Sequence, residues 1–165
     1  MVGLAAGPGD PFGPLAELAV RRVMLSDLVA AAKFGTGRQI DDPVREQQIL
    51  DGVVAESLRR GMPSGPPARF FRAQIKASKI VQRGLFRRWE RHPDERPGRT
   101  PDLETEVRPQ LDLLTEQILG QLHATVELWR PTMLCGIWRL DDIVHPLDEL
   151  HRHAVAVSLH PVFVR

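Results

Sequence analysis

Glycine and proline fall in clusters along this chain: at the N-terminus, over Gly35 to Pro43, over Gly61 to Pro67, over His92 to Pro101 and around Pro131. The segments between them are far longer than ordinary strands and rich in Leu, Ala, Glu, Arg and Gln, the residues that lose least on entering a helix. That punctuation predicts helices over about Leu15 to Phe34, Pro43 to Arg60, Ala68 to Arg91 and Asp102 to Trp129. A fifth, over about Trp138 to Val157, competes with a short strand, because AVAVSLHPVFV after His153 alternates. Asp42 before Pro43 marks a helix start, its carboxylate accepting from an otherwise unpaired amide while proline presets the first turn. Ser64 to Pro67 and Thr100 to Asp102 read the same way. The expected class is all-α: a bundle of long helices joined by short Gly/Pro-rich loops. Residues 14–165 are expected to form one domain behind a flexible lead, 1–13.

Composition narrows the function. A chain of 165 residues fits one domain, and 42% hydrophobic with 26% charged residues is an ordinary globular balance. Lys+Arg total 22 against Asp+Glu 21, and this net charge of +1 excludes a strongly basic nucleic-acid binder in bulk. The single cysteine, Cys135, excludes an intrachain disulfide and reads as a small buried hydrophobe. No apolar run approaches the roughly 18 residues of a membrane span. The opening MVGLAAGPGDPFGP has no basic stretch and is cut by Gly and Pro, so it does not read as an export signal.

The anomaly is polar residues on apolar seams. In the first helix the stripe runs Leu15, Leu18, Arg22, Leu25, Val29 and then Ala32 or Lys33. Eleven residues separate Arg22 from Lys33, three turns plus about 20°, so both cations point the same way about 16 Å apart. In the third, the seam Phe71, Ile75, Ser78, Gln82, Leu85, Trp89 places Ser78 and Gln82 four apart on a face that is otherwise core. The fourth carries Arg108, Leu111, Thr115, Ile118 and Leu122. Unpaired charges are costly to bury, so several cations aimed at one interior imply an anion among them. Two local explanations compete: Asp42 or Glu46 neutralises Arg22 or Arg45, and Ser78 pairs with Gln82.

Other features weigh less. His145, His151, His153 and His160 with Asp148 invite a metal, but no pair has the i, i+4 spacing a helix-borne site uses, so they read as solvated or capping histidines. GLAAGPGD lacks a preceding strand and is not a dinucleotide loop. Arg83, Arg87, Arg88 and Arg91 beside Trp89 read as a solvated face balanced by Glu90, Asp94 and Glu95. Trp129 and Trp138 read as core or interface anchors.

Three blocks taken together, RRVMLSDLVAAAKF, RQIDDPVREQQIL and FFRAQIKASKIVQ, keep an Arg-x10-Lys-x11-Arg spacing followed by Ser-x3-Gln. In these the chain resembles the all-helical chorismate mutases, and its long fourth helix, PDLETEVRPQLDLLTEQIL, resembles the gamma subclass, which is often exported. The resemblance runs from Leu15 to about Leu122. It implies that Arg22 clamps a substrate carboxylate, that Lys33 and Gln82 donate to the ether oxygen whose bond breaks, and that Ser78 contacts a carboxylate. It also implies that Arg45 touches substrate, that Asp42 (backbone) and Glu46 (side chain) hold the ring hydroxyl, and that Arg108 supplies the arginine that dimeric relatives take from a partner. No cofactor or metal is implied. The partner is a small dianion, chorismate, with no nucleic acid and no membrane, and a homodimer is left open.

Chorismate carries two carboxylates, which several cations hold at fixed separation through charge-assisted bonds. Its rearrangement to prephenate is intramolecular and needs no nucleophile or acid-base pair. The protein has only to select the compact conformer and to stabilise charge growing on the ether oxygen. Three rivals share the scaffold: a mutase acting on 4-amino-4-deoxychorismate, a lyase acting on isochorismate, and a silent bundle that senses a dianion. Lys33 and Gln82 argue against the last, since a sensor needs no ether-oxygen donor. The compartment stays open between exported and cytoplasmic. Gamma members can carry glutamate where this chain has Gln82, and glutamate must be protonated to donate whereas glutamine donates at any pH. Activity is therefore expected not to require acid, and a sharp loss of kcat/KM from pH 5 to pH 8 would remove Gln82 from that role.

Overall fold

The computed structural model describes residues 11–125 and 140–163. Cys135, Trp129, Trp138 and the lead before residue 11 lie outside them, as does the expected end of the fourth helix. Among the described residues every regular element is helical: α1 (Gly13–Lys33), α2 (Pro43–Arg59), α3 (Gly65–Arg91), α4 (Arg108–Thr125), α5 (Leu140–Val144) and α6 (Glu149–Phe163), with a 3-10 turn at Pro93–Glu95 and a π-type turn at Leu103–Val107 leading into α4. None of these helices is long and apolar enough to cross a membrane.

The helix starts follow the capping chemistry. Asp42 Oδ1 accepts from Arg45 N at 3.0 Å, and Glu46 Oε1 accepts from Asp42 N at 3.3 Å, so cap and first turn satisfy each other. Asp102 repeats the device, accepting from the amides of Glu104 and Thr105 at 2.9 and 2.8 Å while Glu106 accepts from Asp102 N at 2.9 Å. α3 begins at Gly65, three residues ahead of expectation, because Pro66 and Pro67 fit a first turn that needs no amide donors.

α3 is the central helix, packed against α6, α1 and α2. Phe70 and Phe71 are fully buried and meet edge to face at 6.0 Å, and Leu15, Val23, Val81, Ile118, Leu119, Leu122 and Val155 fill the core around them. Gly84 lets α6 approach α3 closely: a Cβ there would lie 2.5 Å from Leu150 Cδ2. At the far end Phe34 packs edge to face on Phe86 and Trp89, at 5.1 and 5.2 Å, and fixes the end of α1 on α3. A smaller cluster of Val29, Ala32, Leu103 and Val107 pins the start of α4 against α1.

Three expectations need correction. The buried face of α1 runs through Leu15, Ala19, Arg22, Val23, Ser26, Val29 and Ala30, with Leu18 and Leu25 only half-buried, because α3, α4 and α6 all contact this helix and small residues suit a broad, crowded face. The fifth segment is two helices broken near Pro146, and its alternating stretch is helical: Ala154, Val155, Ser158, Leu159 and Val162 are buried at helical spacing. His151 is neither solvated nor merely a cap.

His151 is 5% exposed and joins α6 to α1. Its Nδ1 lies 2.7 Å from Asp148 Oδ1 and its Nε2 2.7 Å from Asp27 Oδ1, so both ring nitrogens face carboxylates. The bond to Asp27 outweighs burial and, with the bond to Asp148, pushes the imidazole pKa up to about 9. His145, His153 and His160 are exposed, and no group of three or more His, Cys, Asp or Glu is arranged for a metal ion among the described residues. A folded-state pKa above the unfolded value near 6.5 means the bridge stabilises fully below pH 6.5 and is lost as pH rises through about 9. Unfolding by urea should accordingly show a fall of about 1–2 kcal/mol from pH 6 to pH 9.5 that His151→Gln abolishes. An identical pH profile in that variant would refute the assignment.

Candidate active site

A cavity of about 340 Å³ opens between α1, α2, α3 and the start of α4. The eight residues singled out in the sequence all line it: Arg22 and Lys33 from α1, Asp42 at the cap of α2 with Arg45 and Glu46 in its first turns, Ser78 and Gln82 from α3, and Arg108 at the start of α4. Ile75, Leu111 and Thr115, from the same seams, face it too.

Arg22 is 5% exposed, and its Nε has no hydrogen-bond partner among the described residues. Its guanidinium lies over the Phe71 ring, 5.8 Å from the centroid. Burial lowers its pKa to about 10, which the charge of Asp112 only partly opposes. Lys33 follows the same logic at the end of α1. Gly35 and Gly37, both at positive φ, turn the chain back after Phe34, and Lys33 Nζ donates to the carbonyl of Ile40 at 3.1 Å. Burial depresses the Lys33 pKa, Asp42 and Glu46 favour its charged form, and the nearby Arg108 disfavours it.

The cavity lining is not purely cationic. Asp41, Asp42, Glu46 and Asp112 line the cavity beside Arg22, Lys33, Arg38, Arg45, Lys79 and Arg108. Most of them are committed. Asp42 caps α2. Glu46 is held by Lys79 at 3.0 Å, and Asp41 by Lys79 at 3.0 Å and Arg83 at 2.6 Å. Glu104 pairs with Arg108, and lies 3.5 Å from Arg38. Asp112 stands 3.8 Å from Arg45. Neither acid proposed to neutralise Arg22 does so. Among the described residues, Arg22 and Lys33 are the lining cations with no carboxylate within ion-pair distance.

The polar pair on α3 does bond to itself: Gln82 Nε2 donates to Ser78 Oγ at 3.1 Å. Ser26 Oγ on α1 donates to the same oxygen at 2.9 Å. When the single Ser26 proton goes to Ser78 and not to the Arg22 carbonyl, 3.5 Å away, Ser78 accepts twice and keeps its own proton. Gln82, 3% exposed, spends one amide proton there and keeps the other, while its Oε1 is buried without a partner. Sequence reasoning missed Ser26, whose signal was its position one turn after Arg22, and it missed Lys79 and Asp112, whose partners are distant in sequence.

The site can accept a dianion whose polar atoms take up what these groups leave open. A buried guanidinium with an unsatisfied Nε also costs stability while the cavity is empty. Arg22→Met, of similar length, should raise the stability of the ligand-free protein by about 1 kcal/mol in urea unfolding. A loss of similar size would show that Arg22 is compensated within the fold.

Residues 14–83 match the family model described as chorismate mutase type II. The chain is 32% identical over 159 residues to the secreted chorismate mutase of Mycolicibacterium smegmatis, covering 94% of this chain and 87% of that protein. It is 28% identical over 156 residues to the secreted chorismate mutase of Mycobacterium tuberculosis, covering 90% and 78%. The crystal structure of chorismate mutase from Burkholderia thailandensis superimposes with a TM-score of 0.83 at 31% identity, covering 92% of this chain and 98% of that one. That of the Burkholderia phymatum enzyme gives 0.84 at 26% identity, covering 94% and 98%. Fold, family match and relatives agree: the chain belongs to the chorismate mutase family and is an all-helical isomerase of that type.

Proposed function

We propose that the protein rearranges chorismate to prephenate in this cavity, with Arg22, Arg45 and Arg108 holding the two carboxylates and Lys33 and Gln82 donating to the ether oxygen. The observation that carries the proposal is the pair of cations, buried Arg22 and half-buried Lys33, that line the cavity without a carboxylate at ion-pair distance. Such charges are tolerated where a ligand completes them.

Each remaining group has a matching task. The free proton of Ser78 reaches a carboxylate oxygen, and Glu46 with the Asp42 backbone accepts from and donates to the ring hydroxyl. The reaction breaks a carbon–oxygen bond while a carbon–carbon bond forms within the same molecule. Cations spaced along the cavity favour the compact conformer in which those carbons meet. Lys33 and the free amide proton of Gln82 are fixed before the bond lengthens, so they stabilise the transition state more than the ground state. All of these groups come from one chain, so the pocket is complete without a second copy. The curated relatives are named as secreted, and this supports an exported protein.

Incubating the purified protein separately with chorismate, isochorismate and 4-amino-4-deoxychorismate, and identifying the products, tests the proposal. Prephenate from chorismate is expected, and no turnover of chorismate would refute it. Lys33→Ala should lower kcat by about 100-fold or more, by the scale of losing one oxyanion donor. Near-unaltered turnover would remove Lys33 from the ether oxygen.

A further inference from the structure

Lys79 lines the cavity one residue past Ser78, yet its ammonium is taken up by carboxylates of the protein itself. Its Nζ donates to Glu46 Oε1 at 3.0 Å, to Glu46 Oε2 at 3.1 Å and to Asp41 Oδ1 at 3.0 Å. An ammonium has three protons, and three acceptors take them, so none is left for a substrate. Asp41 is braced in turn by Arg83, at 2.9 and 2.6 Å. The chain Arg83–Asp41–Lys79–Glu46 thus alternates in charge and ties the loop before α2, and α2 itself, to α3. Burial pulls the Lys79 ammonium down, and the bonds to Glu46 and Asp41 more than reverse this, leaving it above the ordinary lysine value.

We infer that Lys79 is a specificity-determining residue that makes the Glu46 subsite select a neutral hydroxyl on the substrate ring over a positively charged amine. The inference rests on the proposed role of Glu46 and goes beyond it, because it concerns which substituent that carboxylate accepts. Glu46 keeps lone pairs to accept a hydrogen bond, but its charge is already matched. An aliphatic ring amine is an ammonium at neutral pH. Bound to Glu46, it would lie within about 6 Å of Lys79 Nζ, the 3.0 Å ion pair plus one hydrogen-bond length. The network would then hold three cations, Arg83, Lys79 and the ammonium, against the two carboxylates of Asp41 and Glu46, whereas a hydroxyl adds no such charge. Without Lys79, Glu46 becomes an unmatched anion that attracts the ammonium.

The test compares kcat/KM for chorismate and 4-amino-4-deoxychorismate in the unaltered chain and in Lys79→Met, Lys79→Gln and Lys79→Arg, each checked for helical circular dichroism. Two neutral variants guard against one failing to fold. The ratio of the two kcat/KM values, which simple loosening of the fold lowers for both substrates alike, should move toward the amine by about tenfold or more in Met and Gln variants. Lys79→Arg, which keeps the charge, should hold the original ratio. An unchanged ratio in the neutral variants, or a shift as large in Lys79→Arg, overturns the inference while leaving the proposed function intact. Failure of the unaltered chain to convert chorismate overturns both.

Discussion

Arg22 occupies a position that packing alone would give to an aliphatic side chain: on the inner face of α1, over Phe71, with Nε enclosed and unbonded. Holding a guanidinium there costs the empty protein stability, because desolvation outweighs the partial compensation from Asp112. The cavity, the spacing to Lys33 and the arrangement of the carboxylates around them all follow from keeping that charge inside without satisfying it. Had Asp42 or Glu46 turned toward Arg22, the site would be a closed ion pair with nothing to offer a dianion. The fold prevents this by giving each acid another task, one capping α2 and the other held by Lys79.

The scaffold that sustains this tension is rigid where the site needs it. The two capped starts, at Asp42 and Asp102, fix the first turns of α2 and the π-type turn leading into α4, and so deliver Arg45, Glu46 and Arg108 to the cavity. Val29, Ala32, Leu103 and Val107 lock the start of α4 to α1, which brings Arg108 close enough to Lys33 to oppose its charge. On the other side of α3, away from the cavity lining, α6 is held by core packing, by the close approach at Gly84 and by the His151 bridge to Asp27. The groups that line the cavity and those that hold α6 thus lie on different faces of α3.

What was legible in the sequence was local. Gly/Pro punctuation and Asp-Pro capping act within a few residues, so α1, α2 and α3 emerge within three residues of their ends. The seam positions of Arg22, Lys33, Ser78 and Gln82 were readable because helical periodicity places residues on faces without knowledge of the partner. Pairings between helices were not. Lys79 looks like any exposed lysine until Glu46 and Asp41 are beside it, and His151 looks solvated until α6 lies on α1. The alternation in AVAVSL misled for the opposite reason: Ala154, Val155, Ser158 and Leu159 also carry a helical period, and burial against α3 and α1 decided between the two.

The central claim is that the cations lining the cavity, the buried Arg22 above all, await a dianion that engages them through two carboxylates at once. Titration calorimetry of the unaltered protein with a stable bicyclic dicarboxylate that mimics the compact conformer, and with its monomethyl ester, tests this directly. The dicarboxylate should bind at least about 100-fold more tightly than the ester, the difference expected when one buried charge loses its partner. Equal affinities would mean that the cations are already compensated within the fold, and the account would fail.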